Sequence, residues 1–290
     1  MNDTEENVPE SGAEDTHDNV KGGGLIGVLK AMFSFFTMIR LDITEKDMDA
    51  MDKKFWMVPV VGVLYGLIAA ILMTALTQYT GPLVASVVTF FIIFAFNRFL
   101  HIDGTIDTGD GLVVAGTRED HLRALKDPRI GAGGMAFALM VILMNVTMAA
   151  SIMPFMLMAI ALFGAEVLAK TGMVSAAAFG EPGDGMAGKS VKNTLGSSLL
   201  LSMILGLSVI AAFAGLIYVL GEYTTLPVAL PEHYIVLLLL SLLVSVLVGF
   251  VMSFIAKRNF GMVNGDVLGA TNEITRAAVL LTFLIFISVI

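Results

Sequence analysis

Uninterrupted apolar runs recur along this chain at about the length needed to cross a bilayer, which restricts it to a small set of folds. Roughly 20 helical residues span about 30 Å of hydrocarbon, where lipid offers no partner to an exposed backbone N–H or C=O. Candidate spans fall near 57–77, 83–100, 133–153, 155–179, 198–220, 234–256 and 274–290. Pro154 divides one long apolar stretch in two, and the last run is short because the sequence stops at Ile290. The chain is 57% hydrophobic and only 14% charged, where soluble proteins carry about a quarter charged residues. The expectation is an all-α fold: a polytopic integral membrane helical bundle of about seven transmembrane helices.

Seven of the 25 acidic residues lie in residues 1–20, which hold no Lys or Arg, so 18 acids face 17 bases in the rest. Residues 1–24 therefore read as an acidic disordered tail ending in three glycines, and 25–290 as the membrane domain. The tail lacks the basic start and apolar core of a signal peptide. All 17 bases lie in alternate connections or at their ends, whereas 78–82, the turn at Pro154 and 221–233 hold none. The positive-inside rule then puts the N-terminus and the acidic connections in the cytoplasm, with the chain in the cell membrane. With no cysteine, disulfides, thiolate metal sites and a thiol nucleophile are excluded.

Directly after the second run comes His101-Ile102-Asp103-Gly104-Thr105-Ile106-Asp107-Thr108-Gly109-Asp110-Gly111. On a helix, Asp103, Asp107 and Asp110 at i, i+4 and i+7 share a face within roughly 60° and repel unless a cation joins them. Mg²⁺ suits oxygen ligands and is typically held by a few carboxylates plus substrate phosphates, which points to a phosphorylated substrate. Gly104, Gly109 and Gly111 are poor helix formers and are read as room for a bulky ligand. A second constellation lies in the last connection, where Asn264-Gly265 signals a turn and Asp266 and Glu273 share a face, with Gly269 and Ala270 between them. Asp266 itself suits an N-cap or first-turn acid.

Other polar residues leave alternatives open. His101 suits either a metal ligand or a helix interface. Lys126 and Arg129 suit a phosphate clamp or juxtamembrane anchors. Glu166 and Lys170, at i and i+4 inside the fourth span, are read as neutralising each other. Gly185-Met186-Ala187-Gly188-Lys189-Ser190 brushes against a phosphate-loop pattern, but its glycine spacing is wrong and no strand precedes it.

Taken together, His101-Ile102-Asp103-Gly104 with Asp107-Thr108-Gly109-Asp110-Gly111, Lys126-Asp127-Pro128-Arg129-Ile130-Gly131, and Gly265-Asp266-Val267-Leu268-Gly269-Ala270 with Glu273 closely resemble the cobalamin synthase family of adenosylcobinamide-GDP ribazoletransferases. The approach Phe35-Phe36-Thr37-Met38-Ile39-Arg40 and the first span from Phe55 look like its N-terminal pattern. Asn264 stands where that family usually has Thr, and Met38 interrupts what is commonly a Thr-Arg-Ile-Pro run.

The resemblance implies transfer of the cobinamide phosphate of adenosylcobinamide-GDP to α-ribazole, or its 5′-phosphate, with release of GMP. It implies that Asp103, Asp107, Asp110 and Asp266 serve metal binding and catalysis with Mg²⁺. His101, Gly104, Gly111, Lys126, Arg129, Asn264, Gly265, Gly269 and Glu273 are then candidates for substrate contact. Lipid is the expected surrounding, the many glycines suit a homo-oligomer, and no nucleic-acid partner is expected. Three other classes compete. A CDP-alcohol phosphotransferase would show an alanine-arginine pair after the glycine, an intramembrane prenyltransferase an Asn-Asp start, and an ion-coupled transporter acids at mid-membrane.

Overall fold

The structure, a computed structural model, describes residues 23–153, 155–222 and 233–289. The acidic tail at 1–22, the turn at Pro154 and the cation-free 223–232 connection lie outside the described residues. Among those described, every regular element is helical: α1 (Leu25–Phe36), α2 (Glu45–Lys53) with a 3-10 turn at Phe55–Met57, α3 (Pro59–Thr80), α4 (Pro82–Phe96), α5 (Leu100–Val113), α6 (Arg118–Leu125), α7 (Ala132–Ser151), α8 (Phe155–Phe179), α9 (Gly185–Asn193), α10 (Gly196–Glu222), α11 (His233–Asn259) and α12 (Gly265–Val289). Six are long and apolar enough to cross a membrane, or seven if the bent pair α4 and α5 counts as one.

The short helices are set by local polar chemistry. Thr44 with Asp47, and Thr117 with Asp120, form reciprocal capping boxes that start α2 and α6. The Asp120 carboxyl is held below its usual range, chiefly by the Thr117 backbone N–H and hydroxyl that it accepts. The long helices are set by burial. α8 is buried along its whole length from Leu157 to Ala177, as expected of a helix apolar on every face, with α3, α10, α11 and α12 packed around it. Gly62 makes the α3 contact possible, because a Cβ there would fall 2.8 Å from the Val167 Cα. α10 and α11 instead leave Leu200, Ile204, Leu239 and Leu243 exposed, a surface suited to lipid chains.

Two spans differ from the sequence reading. The run at 83–100 is not one crossing helix: α4 has 15 residues, about 22 Å at the α-helical rise, and the chain then turns through 92° into α5. Arg98 and Phe99, at φ 58° and 56°, take left-handed backbone at the corner, a conformation that costs non-glycine residues about 1 kcal/mol or more each. Neighbouring contacts hold the corner. Arg98 Nη2 donates to the Phe35 carbonyl at 2.8 Å, and Met38 N donates to the Phe96 carbonyl at 2.8 Å. The last span, read as 274–290, begins at Gly265 and runs 25 residues, because the polar residues of its first half find buried partners instead of forming a loop.

Those partners also change the reading of three charged residues. Glu166 and Lys170 each make their direct contact elsewhere. Glu166 Oε1 meets Arg276 Nε at 2.7 Å, and Lys170 Nζ donates to Asn272 Oδ1 at 2.7 Å. Lys170 and Arg276 are buried inside α8 and α12, so these two cations mark no membrane side.

Candidate active site

α5 is a helix throughout the aspartate stretch, so Asp103, Asp107 and Asp110 do share a face. Asp103 is exposed and the other two are half-buried. α12 crosses α5 at that point. A Cβ on Gly104 would lie 2.8 Å from the Asp266 Cα, and one on Gly269 would lie 3.2 Å from the His101 Cα. The two motifs, more than 150 residues apart in sequence, therefore touch backbone to backbone, and Asp107 feels the charges of Asp103, Asp110 and Asp266. Asn264 caps α12: its Oδ1 accepts from Val267 N at 3.1 Å, and its amide donates to Asp266 Oδ2 at 2.7 Å. Asp266 is thus the first-turn acid, where the positive end of the helix dipole favours a carboxylate.

The glycine room postulated for a ligand is taken by protein. Gly104 accommodates the Asp266 backbone, a Cβ on Gly109 would meet the Phe137 Cβ at 2.8 Å, and one on Gly111 would meet the Phe260 ring at 2.7 Å. Gly265 is the more open of the α12 glycines, its nearest neighbour being the Ala187 Cβ at 3.7 Å.

Asp110 has a task that the spacing did not reveal. α7 begins at Gly131, which has no side chain to cap it. Asp110 does so from α5, accepting from Gly131 N at 2.6 Å and Gly134 N at 2.7 Å. Bonds to a charged acceptor contribute about 1.5–3 kcal/mol each, so Asp110→Ala is expected to lower the thermal midpoint by several degrees. Asp103→Ala, whose exposed carboxylate caps nothing, is expected to leave it within about a degree. Differential scanning of both variants in one detergent reads the contrast.

A cavity of about 110 Å³ opens beside the crossing, lined by His101 and Asp103 from α5 and by Gly265, Asp266 and Gly269 from α12. Its other walls were not anticipated. Phe35 and Phe36 come from α1, Phe55 from the 3-10 turn, and Met186 and Ser190 from α9. The α9 residues belong to the segment dismissed as a phosphate loop, and Phe35-Phe36 to the N-terminal pattern; each was visible in the sequence without its destination. His101 is 2% exposed, and neither of its ring nitrogens has a hydrogen-bond partner.

Three candidates stand elsewhere. Lys126 and Arg129 line a separate, open surface groove with Glu119, Leu122 and Arg123. Arg129 grips Asp127 through two hydrogen bonds of 3.0 and 2.8 Å, holding that carboxyl down at about 2, while Lys126 lies 4.0 Å from Asp184. Glu273 has no exposure. Its carboxylate is bound by Arg276, accepts from Asn272 Nδ2 at 3.0 Å and lies 3.7 Å from His101 Nδ1. It belongs to the buried Glu166, Arg276 and Glu273 cluster behind the cavity, which spacing alone missed. The signal was present: 272, 273 and 276 recur at helical spacing inside an apolar helix, opposite 166 and 170.

Among the described residues, no three His, Asp or Glu side chains are grouped tightly enough to chelate one metal ion by themselves. Mg²⁺ does not require that. It keeps several waters and takes one or two carboxylates together with substrate phosphates; the carboxylates at the cavity are those of Asp103 and Asp266, with Asp107 near them.

The profile of the cobalamin-5-phosphate synthase family matches residues 28–284. An adenosylcobinamide-GDP ribazoletransferase of Methanocella arvoryzae is 32% identical over 265 residues, covering 89% of this chain and 95% of the relative. Those of Methanosarcina mazei and Halorubrum lacusprofundi are each 30% identical, covering 87% and 88% of this chain and 89% and 96% of the relatives. No solved structure matches. With the family's profile spanning nearly all of the membrane domain, and both aspartate motifs meeting at one cavity inside it, the chain belongs to the cobalamin-5-phosphate synthase family.

Proposed function

We propose that the crossing of α5 and α12 is a Mg²⁺-dependent phosphoryl-transfer site, held in the cell membrane and open to the cytoplasm. The family's reaction makes the chain a transferase, an adenosylcobinamide-GDP ribazoletransferase acting on adenosylcobinamide-GDP and ribazole. The observation that carries the site is the Gly104 to Asp266 approach, which gathers carboxylates from two distant motifs around one cavity.

In this reading a ribose hydroxyl forms a bond to the phosphorus nearer the corrinoid. The diphosphate P–O bond breaks, GMP leaves with the bridging oxygen, and the hydroxyl proton passes to one of the carboxylates. Much of the barrier in such transfers is alignment and charge, so the chain's contribution is the pair of crossing helices that carries the carboxylates. Asp103, Asp107 and Asp266 would hold Mg²⁺, with Asp110 behind them. When bound, the ion supplies Lewis acidity toward the diphosphate oxygens and stabilises the leaving GMP. Asn264 orients Asp266 through its amide.

The test is GMP release by purified protein in lipid, supplied with adenosylcobinamide-GDP and either α-ribazole or its 5′-phosphate. Release is expected with Mg²⁺, with loss on chelation and recovery when Mg²⁺ is restored. Turnover that persists under chelation would overturn the metal assignment. The cytoplasmic orientation is tested separately, and the absence of native cysteine makes single-cysteine labelling clean. Glu119→Cys is expected to react from the cytoplasmic face of sealed vesicles and Tyr79→Cys from the other; the reverse pattern sinks the orientation.

A further inference from the structure

Resting on the reading of the α5 and α12 crossing as a phosphoryl-transfer site, we propose that α9 is a hinged lid over that site, latched to α2 by the Ser190 to Asp52 hydrogen bond, and that it swings aside to admit substrate. The cavity has a volume of about 110 Å³, less than the ~150 Å³ of an apolar protein cavity that takes up a single benzene ring. A nucleotide diphosphate enters it only if a wall moves. The walls differ in what holds them. α5 and α8 are both packed along α12, and His101, Met173, Leu268 and Gly269, which they present to the cavity, are buried. α9 is a nine-residue helix that lies outside the spans, between α8 and α10. It buries only Gly188, Ser190 and Val191. It also covers the start of α12, where the Ala187 Cβ is the nearest neighbour of a Cβ placed on Gly265, one residue before Asp266.

What fastens α9 is polar. Ser190 Oγ donates to Asp52 Oδ1 at 2.6 Å in a buried bond. Lys189 lies 3.5 Å from Asp49, and Lys126 lies 4.0 Å from Asp184, but all four side chains are exposed, and exposed pairs hold little. Both ends of the segment carry a glycine free to turn. Gly185 takes left-handed backbone at φ 82°, and a Cβ there or on Gly196 would meet nothing within 4 Å. The connection before Gly185 is anchored instead. Gly183 N donates to the Val263 carbonyl at 3.3 Å, Val263 N donates to the Glu181 carbonyl at 2.7 Å, and Lys257 lies 2.6 Å from Glu181. Motion is thereby confined to 185–196, a segment with few buried contacts, the kind that opens locally while the rest of a fold stays closed. Gly188 lets the closed helix seat on the anchor, since a Cβ there would collide with the Gly183 carbonyl oxygen. The glycines that fit no phosphate loop serve here as a hinge and a seat. Such a lid gates access and takes no part in the chemistry.

The experiment locks the lid and, separately, unlatches it, in the full chain in lipid nanodiscs; the chain has no native cysteine. The Asp52 and Ser190 side chains already meet, so cysteines at both positions can be bridged by oxidation. Bridged Asp52→Cys, Ser190→Cys protein is expected to release GMP from adenosylcobinamide-GDP and α-ribazole about tenfold more slowly than the same protein reduced. A thiol reductant should restore the rate, and the oxidant should not affect either single-cysteine variant. Equal rates in bridged and reduced protein overturn the lid. The second arm needs no substrate. Met173→Cys places a thiol on the α8 wall of the cavity, at a position 2% exposed, and its rate of labelling by a water-soluble maleimide reads opening. Adding Ser190→Ala is expected to raise that rate about fivefold, while a thiol at Ala165, buried elsewhere in α8, stays unlabelled. An unchanged rate overturns the latch, and an equal rise at both positions marks loosening of the whole bundle and overturns the lid. Labelling that follows the expected pattern in protein that releases no GMP keeps the lid and overturns the transferase reading instead.

Discussion

Asp266→Asn is expected to cut GMP release by about 10²–10³-fold, the range seen when one preorganised electrostatic contact to a developing charge is removed, with the thermal midpoint within a few degrees of wild type. The substitution keeps shape and removes charge where the two motifs meet. Asp266 accepts a hydrogen bond from the Asn264 side chain, and an asparagine carbonyl can accept that bond too. Its backbone, on which Gly104 packs, is unchanged. Activity lost without stability is therefore the signature of a carboxylate acting on substrate or metal. Gly104→Val is the complementary variant. It leaves every carboxylate in place but drives a side chain into the Asp266 backbone, so activity and stability should fall together. Full activity in Asp266→Asn would remove α12 from the site.

The second large effect lies behind the cavity. Arg276→Leu is expected to destabilise the fold by about 3–5 kcal/mol, the range for removing one partner of a buried ion pair. That is a large part of a typical stability of about 5–15 kcal/mol. Arg276 is 1% exposed. Its guanidinium binds Glu166 at 2.7 Å, also binds Glu273, and stacks 5.5 Å from the Phe90 ring and 5.7 Å from that of Phe94. Without it Glu166 and Glu273 lose the guanidinium that both of them bind in the interior. Arg276→Lys should recover only part of the loss, since an ammonium cannot present the planar fork that reaches both acids. Neutralising all three residues, as Glu166→Gln, Glu273→Gln and Arg276→Leu together, is expected to be milder than Arg276→Leu alone, because neither carboxylate is left without its guanidinium and Lys170 keeps its 2.7 Å bond to Asn272 Oδ1. Urea or thermal unfolding in one detergent gives the order. A triple variant less stable than the single one would show that the ions serve stability directly.

Much of the site was legible because it is local. Asp103, Asp107 and Asp110 share a face on any α-helix, since 3.6 residues per turn fixes that whatever surrounds it. The helix start at Asn264 was likewise written in the turn signal beside it. The corner at Arg98 and Phe99 was not, because nothing in an apolar run marks left-handed backbone, and the contacts that hold it come from Phe35 and Met38 on another element. Lys126 and Arg129 were legible as a contiguous motif but not in their placement: they line a separate groove, where Arg129 is held by Asp127 two residues away.

By itself the sequence determined the all-helical membrane fold, since about 30 Å of hydrocarbon forces apolar runs to satisfy their own backbone groups as helices. It also determined the helical alignment of the acids, a property of the local period. Only the tertiary structure decided what those acids face. Whether Asp110 caps α7, whether Gly104 leaves room for a ligand or for Asp266, and whether Glu273 meets substrate or Arg276 all depend on which distant helix packs there. That choice is made by close packing and by pairing of buried charge between helices, at separations such as the 21 residues between Asp110 and Gly131 and the 110 between Glu166 and Arg276, which no local spacing records.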